Sequence, residues 1–179
     1  MLRDTPICDF GWKAPDFTLP DAHDAMHALA DHITDKGLLV AFICNHCPYV
    51  KRIAADLAAD TASLIEDGIG VLAIMSNDYE AYPADRPEEM VRLAAEHGFR
   101  FPYLVDADQS VARAYSAVCT PDFFGFDAQG GLQYRGRLRG PDGNTDLIDA
   151  MRQVAETGQG PQDQVPSMGC SIKWRKDPV

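Results

Sequence analysis

Apolar residues along this 179-residue chain fall into two alternating patterns. Leu38-Leu-Val-Ala-Phe-Ile43 and Val71-Leu-Ala-Ile-Met75 are short continuous runs, the form taken by strands buried on both faces. Between them, from Pro48, the period lengthens. Val50, Ile53, Leu57, Leu64 and Ile65 recur near helical spacing, with Lys51, Arg52, Asp56 and Asp60 on the other face. Asp67-Gly68 ends that helix. Strand, helix and parallel strand make a βαβ unit.

The alternation continues downstream. Residues 77–86 form a polar loop, and Pro87-Glu-Glu suits a first helical turn, with proline at the start and acids at the positive end of the dipole. That helix should run to about His97-Gly98. Tyr103-Leu-Val-Asp106 predicts a short strand and Gln109 to Tyr115 a short helix. Phe123-Phe-Gly-Phe126 and Leu132 to Leu138 flank the turn Asp127-Ala-Gln-Gly-Gly131, which predicts an antiparallel hairpin. Thr145 to Thr157 is a last amphipathic helix. Upstream, Ala14-Pro-Asp-Phe-Thr-Leu-Pro20 is fenced by prolines and suits an edge strand or hairpin. With no internal repeat and no second core, the pattern predicts one α/β domain over 1–158, opening with an irregular arm (1–13), then a Gly-, Pro- and Gln-rich tail over 159–179.

Composition narrows the setting. A net charge of −11 argues against nucleic acid and anionic membrane as partners, because both would be repelled. The N-terminal MLRDTPICDF has no apolar stretch of signal-peptide type, so the expectation is a cytoplasmic protein whose thiols are kept reduced. The five cysteines (8, 44, 47, 119, 170) do not close into a disulfide framework.

Chemistry concentrates at Cys44-Asn-His-Cys47, placed where the first buried strand gives way to the helix. A thiolate is the nucleophile toward disulfides and peroxides, and a helix N-terminus stabilises one through its unpaired amides and partial positive charge. Pro48 fits the opening helical turn. On this reading Cys44 is exposed at the helix tip with a lowered pKa, Cys47 is tucked one turn in, and protonated His46 adds positive charge near Cys44. A stabilised thiolate makes the disulfide more oxidising, nearer about −200 mV than the roughly −270 mV of thioredoxin. Zinc is the competing use of such a pair, but a structural site wants a second ligand pair, and Cys8, Cys119 and Cys170 are isolated. No metal and no bound cofactor are expected. His23 and His27 share an i, i+4 spacing without a third ligand.

A strand ending in a CxxC-Pro helix, a βαβ unit, and Thr120-Pro121 leading into a hairpin together resemble the thioredoxin superfamily. Ala14-Pro-Asp-Phe, Cys-Asn-His-Cys-Pro, Cys119-Thr-Pro and Gly169-Cys-Ser-Ile-Lys-Trp174 resemble its redoxin (AhpC/TSA-type) branch and a peroxiredoxin-like subgroup, over residues 12–157 plus the tail motif. The resemblance implies a thioredoxin fold, with a central mixed sheet flanked by helices and an N-terminal redoxin extension. It implies a thiol–disulfide oxidoreductase with Cys44 attacking and Cys47 resolving. Thr120 and a cis Pro121 would hold an extended substrate strand, with Asn45 at the same groove. Two familiar residues are missing: Ala41 stands where thioredoxins carry a proton-accepting acid, and Ile43 where they carry tryptophan.

Peroxidase is the alternative that the resemblance also implies, with Cys47 peroxidatic and Cys170 or Cys44 resolving. Against it, the position three before Cys47 holds Cys44 instead of Thr or Ser, and Val40 stands where a proline is usual. Cys119 is a further redox candidate, and Cys8 is read as incidental. A non-catalytic binding or redox-sensing module is the remaining class, with Trp12, Tyr49, Phe123, Phe124 and Trp174 as candidate groove residues. Expected partners are disulfides or peroxides and a cellular thiol reductant.

Overall fold

In the computed structural model, which describes residues 1–176, the first apolar run forms β4 (Leu38–Phe42), the central strand of a five-stranded sheet. All five of its residues are buried, because side chains on alternate faces meet separate cores. It pairs in parallel with β5 (Gly70–Met75), which pairs in parallel with β6 (Tyr103–Val105). On its other edge, β8 (Asp122–Phe126) runs antiparallel and is followed by β9 (Leu132–Tyr134), the predicted hairpin. The order is therefore β6-β5-β4-β8-β9, a mixed sheet flanked by helices.

Three helices cover one face. α1 (Pro48–Glu66), α2 (Pro87–His97) and α4 (Asp146–Thr157) bring Leu57, Met90 and Met151 against Leu39, Ala41 and Val71. Each fully buried aliphatic chain contributes about 1.5–3 kcal/mol. The opposite face holds α3 (Ser110–Ala114) and the N-terminal extension, where Phe17, Leu19 and Tyr115 pack against Val40, Phe42 and Phe124. In that extension β2 (Thr18–Pro20) pairs with β3 (Met26–Ala28), as the proline-fenced segment suggested.

Two segments are more ordered than their composition implies. The arm contributes β1 (Leu2–Asp4) and the tail contributes β10 (Met168–Ser171). With β7 (Cys119–Thr120) they form a second antiparallel sheet in the order β1-β10-β7. Neither strand shows apolar alternation, because β1 is exposed throughout and β10 buries only a glycine fully. Backbone pairing between distant segments holds them, and no local pattern reports that. Positions 177–179 of the predicted tail lie outside the described residues.

Candidate functional site

The βαβ unit places both cysteines of the motif at one point. The chain leaves β4 through Ile43 and Cys44, and Cys47 is the N-cap of α1, with Pro48 at the first helical position. Across from them lies Thr120, whose peptide bond to Pro121 is cis. Cys44 Sγ is 3.2 Å from Thr120 Oγ1, and Cys47 Sγ is 3.2 Å from the Thr120 carbonyl oxygen. The second of these is a hydrogen bond when the sulfur is protonated.

The expected exposure of Cys44 is not found. Its relative accessibility is 1%, against 0% for Cys47. The expected charge distribution is also reversed. Hydrogen bonding with Cys47, burial and the negative charge of Asp85 all hold the Cys44 thiol well above its ordinary value. Cys47 is drawn down to about 4, first by the hydrogen bond from Cys44 and then, against the cost of burial, by the Val50 amide in the first turn of α1. The two thiols titrate as a coupled pair in which the first turn of α1 favours negative charge on Cys47, while the bond to the Thr120 carbonyl is made by its protonated form.

A residue that sequence reading did not single out adds to the rise of Cys44, after the bond with Cys47 and burial. Asp85 lies in the polar 77–86 loop, and its side chain is fully buried beside the motif. Its Oδ1 accepts the backbone N–H groups of Asn45 (2.8 Å) and His46 (3.1 Å). Its Oδ2 accepts His46 Nδ1–H and the Asn77 amide (2.9 Å). Burial by itself would raise this carboxyl, but the bonds from His46 and Asn77 hold it below the usual range. His46 therefore directs its Nδ1–H at Asp85 and not at Cys44. Its ring stacks on Tyr82 (centroids 5.5 Å apart) and stays partly open to solvent. The sequence contained no usable signal for Asp85, one of three acids in an acid-rich loop some forty residues from the motif.

Asn45 is also buried, and its Oδ1 accepts the Tyr103 hydroxyl at 3.1 Å. Its Nδ2 is the one buried side-chain polar atom without a partner among the described residues. Cys119 packs under the cis bond with its thiol toward the Pro121 carbonyl (3.6 Å), and burial and then Asp122 push it up to about 12. Cys8 lies in the arm, pushed up to about 11 by burial. Cys170, on β10, stands opposite Thr120 and packs against the core cluster that includes Cys44 and Cys47. Tyr49 and Phe123 line a depression of about 150 Å³ beside Pro121, together with Arg52 and Met168. Trp12 and Phe124 belong to the core on the other face, and Trp174 lies under the Arg113 guanidinium at 4.5 Å. His27 meets His32 (3.1 Å) and Asp21 (3.2 Å), not His23.

Ligand atoms of Cys44, His46 and Asp85 lie within 4.8 Å of one another, a sulfur–nitrogen–oxygen set of the kind zinc accepts. The nitrogen and oxygen are already bonded to each other, and the carboxylate is saturated by four donors. A metal there would have to break those bonds, so the cluster is read as a proton-handling network around the thiols.

The AhpC/TSA family matches residues 10–135, well over half of the chain. A Mycobacterium tuberculosis protein named "Putative peroxiredoxin" is 28% identical over 120 residues, 67% of this chain and 71% of that one. The crystal structure of a hypothetical protein from Sinorhizobium meliloti superposes with a TM-score of 0.92 at 39% identity, covering 99% of this chain and 100% of that one. A "putative Thiol:disulfide interchange protein" of Chlorobium tepidum superposes at 0.66 with 20% identity, over 82% of this chain and 97% of that one, and shows the shared thioredoxin fold.

Proposed function

The chain belongs to the AhpC/TSA family of thioredoxin-fold redox proteins, and within it we propose a thiol–disulfide oxidoreductase working through Cys44 and Cys47. The observation that carries this reading is the convergence of both sulfurs on Thr120, each at 3.2 Å, at the N-terminus of α1. A coupled thiol–thiolate pair is what disulfide exchange requires.

The Cys47 thiolate attacks one sulfur of a substrate disulfide, forming a mixed disulfide and releasing the other half as a thiolate that takes a proton from water. Cys44 then loses its proton and attacks the Cys47 sulfur. The Cys44–Cys47 bond forms, and the second substrate thiolate leaves. This order reverses the roles the family resemblance implied, and its support is the place of Cys47 at the first turn of α1 beside the Val50 amide, with Asp85 adding negative charge near Cys44. The Cys44 proton leaves through the partly open His46 ring, whose Nε2 is not engaged by Asp85, and His46 so stands in for the acid absent at Ala41. No cofactor enters; electrons pass as dithiol and disulfide, and a reducing compartment such as the cytoplasm, with a cellular thiol reductant, would recycle the enzyme.

Peroxidase remains a second reading because the residue with the depressed pKa is Cys47. Against it, the nearby Thr120 hydroxyl faces Cys44, not Cys47. The test compares wild type, Cys44→Ser and Cys47→Ser with dithionitrobenzoate-type disulfides and with hydrogen peroxide. Loss of disulfide turnover in both variants, with peroxide consumed no faster than by free thiol, supports the oxidoreductase. Fast peroxide consumption that depends on Cys47 and survives in Cys44→Ser overturns it.

A further inference from the structure

An extended substrate is expected to pair with the edge of β7 at Thr120, yet that edge is occupied by the protein's own tail. β10 lies antiparallel to it with Cys170 opposite Thr120 and Ser171 opposite Cys119. The contact is flush because position 169 has no side chain. A Cβ at Gly169 would overlap the Thr120 carbonyl oxygen and stand 2.6 Å from its carbon and 3.0 Å from Pro121 N. Hydrogen bonds fasten both ends of the strand. Before it, Ser167 Oγ donates to the Pro121 carbonyl (2.9 Å) and the Ser167 amide donates to Thr5 Oγ1 (3.0 Å). After it, the Lys173 amide donates to Asn77 Oδ1 (2.8 Å), on the side chain whose Nδ2 holds Asp85. The register sets Cys170 opposite Thr120, the residue on which both motif sulfurs converge, and packs it against the core cluster that holds them. The tail thus occupies the edge that a bound substrate strand would use, with a cysteine where the scissile sulfur of that substrate would lie.

We propose that β10 is an internal substrate strand of the dithiol and that Cys170 is its third redox cysteine. The step starts from the Cys44–Cys47 disulfide that the proposed function generates, and rests on that reading. The Cys170 thiolate attacks the Cys47 sulfur; the Cys47–Cys170 bond forms, the Cys44–Cys47 bond breaks, and the electron pair leaves on Cys44 Sγ. The proton given up by Cys170 is returned to Cys44 through solvent, so the exchange is neutral in electrons and protons. The product carries a tail covalently fastened across the groove and a free Cys44. External protein substrates reach the dithiol only when β10 lifts from β7, and the bridge holds it down.

The experiment maps disulfides by mass spectrometry after acid quenching and maleimide blocking of the full-length protein, oxidised with one equivalent of diamide. In wild type the Cys47–Cys170 peptide is expected beside Cys44–Cys47. In Cys44→Ser it should be the main bridge and form within the monomer. Gly169→Ala, which pushes β10 off β7 without touching a sulfur, should lower the yield of Cys47–Cys170 several-fold and raise the alkylation rate of Cys47 at least tenfold. Exclusive Cys44–Cys47 bonding in wild type, with no Cys47–Cys170 bridge in Cys44→Ser, overturns the proposal. So does a Gly169→Ala protein whose Cys47 alkylates at the wild-type rate. Because the Cys44→Ser bridge is read without turnover, failure of the oxidoreductase reading would show separately, as absent disulfide reduction by wild type.

Discussion

Asp85→Asn tests whether the buried carboxylate governs both the stability of the motif and the position of its proton. Asparagine is nearly isosteric, and its Oδ1 can still accept the Asn45 and His46 amides. Its Nδ2 replaces the oxygen that receives His46 Nδ1–H and the Asn77 amide, so donors now face donors. Asn77 cannot simply rotate its amide, because its Oδ1 accepts from Lys173 of the tail at 2.8 Å. Two charge-assisted bonds at about 1.5–3 kcal/mol each are lost. Removing one partner of a buried pair costs about 3–5 kcal/mol, so the two routes agree. With a urea slope of about 2 kcal/mol/M, the midpoint at pH 7 should fall by roughly 1.5–2.5 M. The effect has a defined pH sign. The Asp85 pKa is lower in the folded protein, so its contribution is present above an ordinary carboxyl value of about 4 and is lost as pH falls through the folded value. The wild-type advantage over Asp85→Asn should therefore shrink on acidification below about pH 4. The variant also lacks the charge that helps hold Cys44 up, so Cys44 alkylation should become detectable at lower pH. Chemical denaturation across pH, together with site-resolved iodoacetamide labelling, reads both effects. A midpoint within about 0.3 M of wild type and unchanged Cys44 labelling would refute the reasoning, since either the carboxylate is solvated or its bonds contribute little.

Two further outcomes are expected. The pH dependence of Cys47 labelling should be flat from about pH 5 upward, as its pKa of about 4 requires, although burial keeps the absolute rate low; a profile rising through pH 8–9 would return the thiolate to ordinary behaviour. Arg135→Ala should cost about 3–5 kcal/mol in urea unfolding, because it strands the fully buried Asp122, which its guanidinium contacts at 3.0 and 3.3 Å; a loss below about 1 kcal/mol would show that water replaces the guanidinium.

The main elements were legible because they carry their own period. The run Leu38–Ile43 reads as a doubly buried strand, the spacing Val50–Leu57–Leu64 as a helix face, and the Gly-rich turn 127–131 as a hairpin; the structure bears out each. The location of the dithiol was legible for the same reason, since two cysteines at a strand-to-helix junction can lie nowhere but the helix tip.

What local sequence could not convey was what lies across from that tip. Asp85, the Thr120 opposite Cys44 and the strand pairing of β10 all come from residues well over thirty positions away. A thiol's pKa depends on charges within a few ångströms whatever their distance along the chain, so the same Cys44-Asn-His-Cys47 could carry its thiolate at either end. The sequence alone determined that there is a dithiol, and where in the fold it sits. Which sulfur holds the charge, and what covers it, were decided only when the 77–86 loop and the tail were brought against it, because electrostatics and backbone pairing act through space.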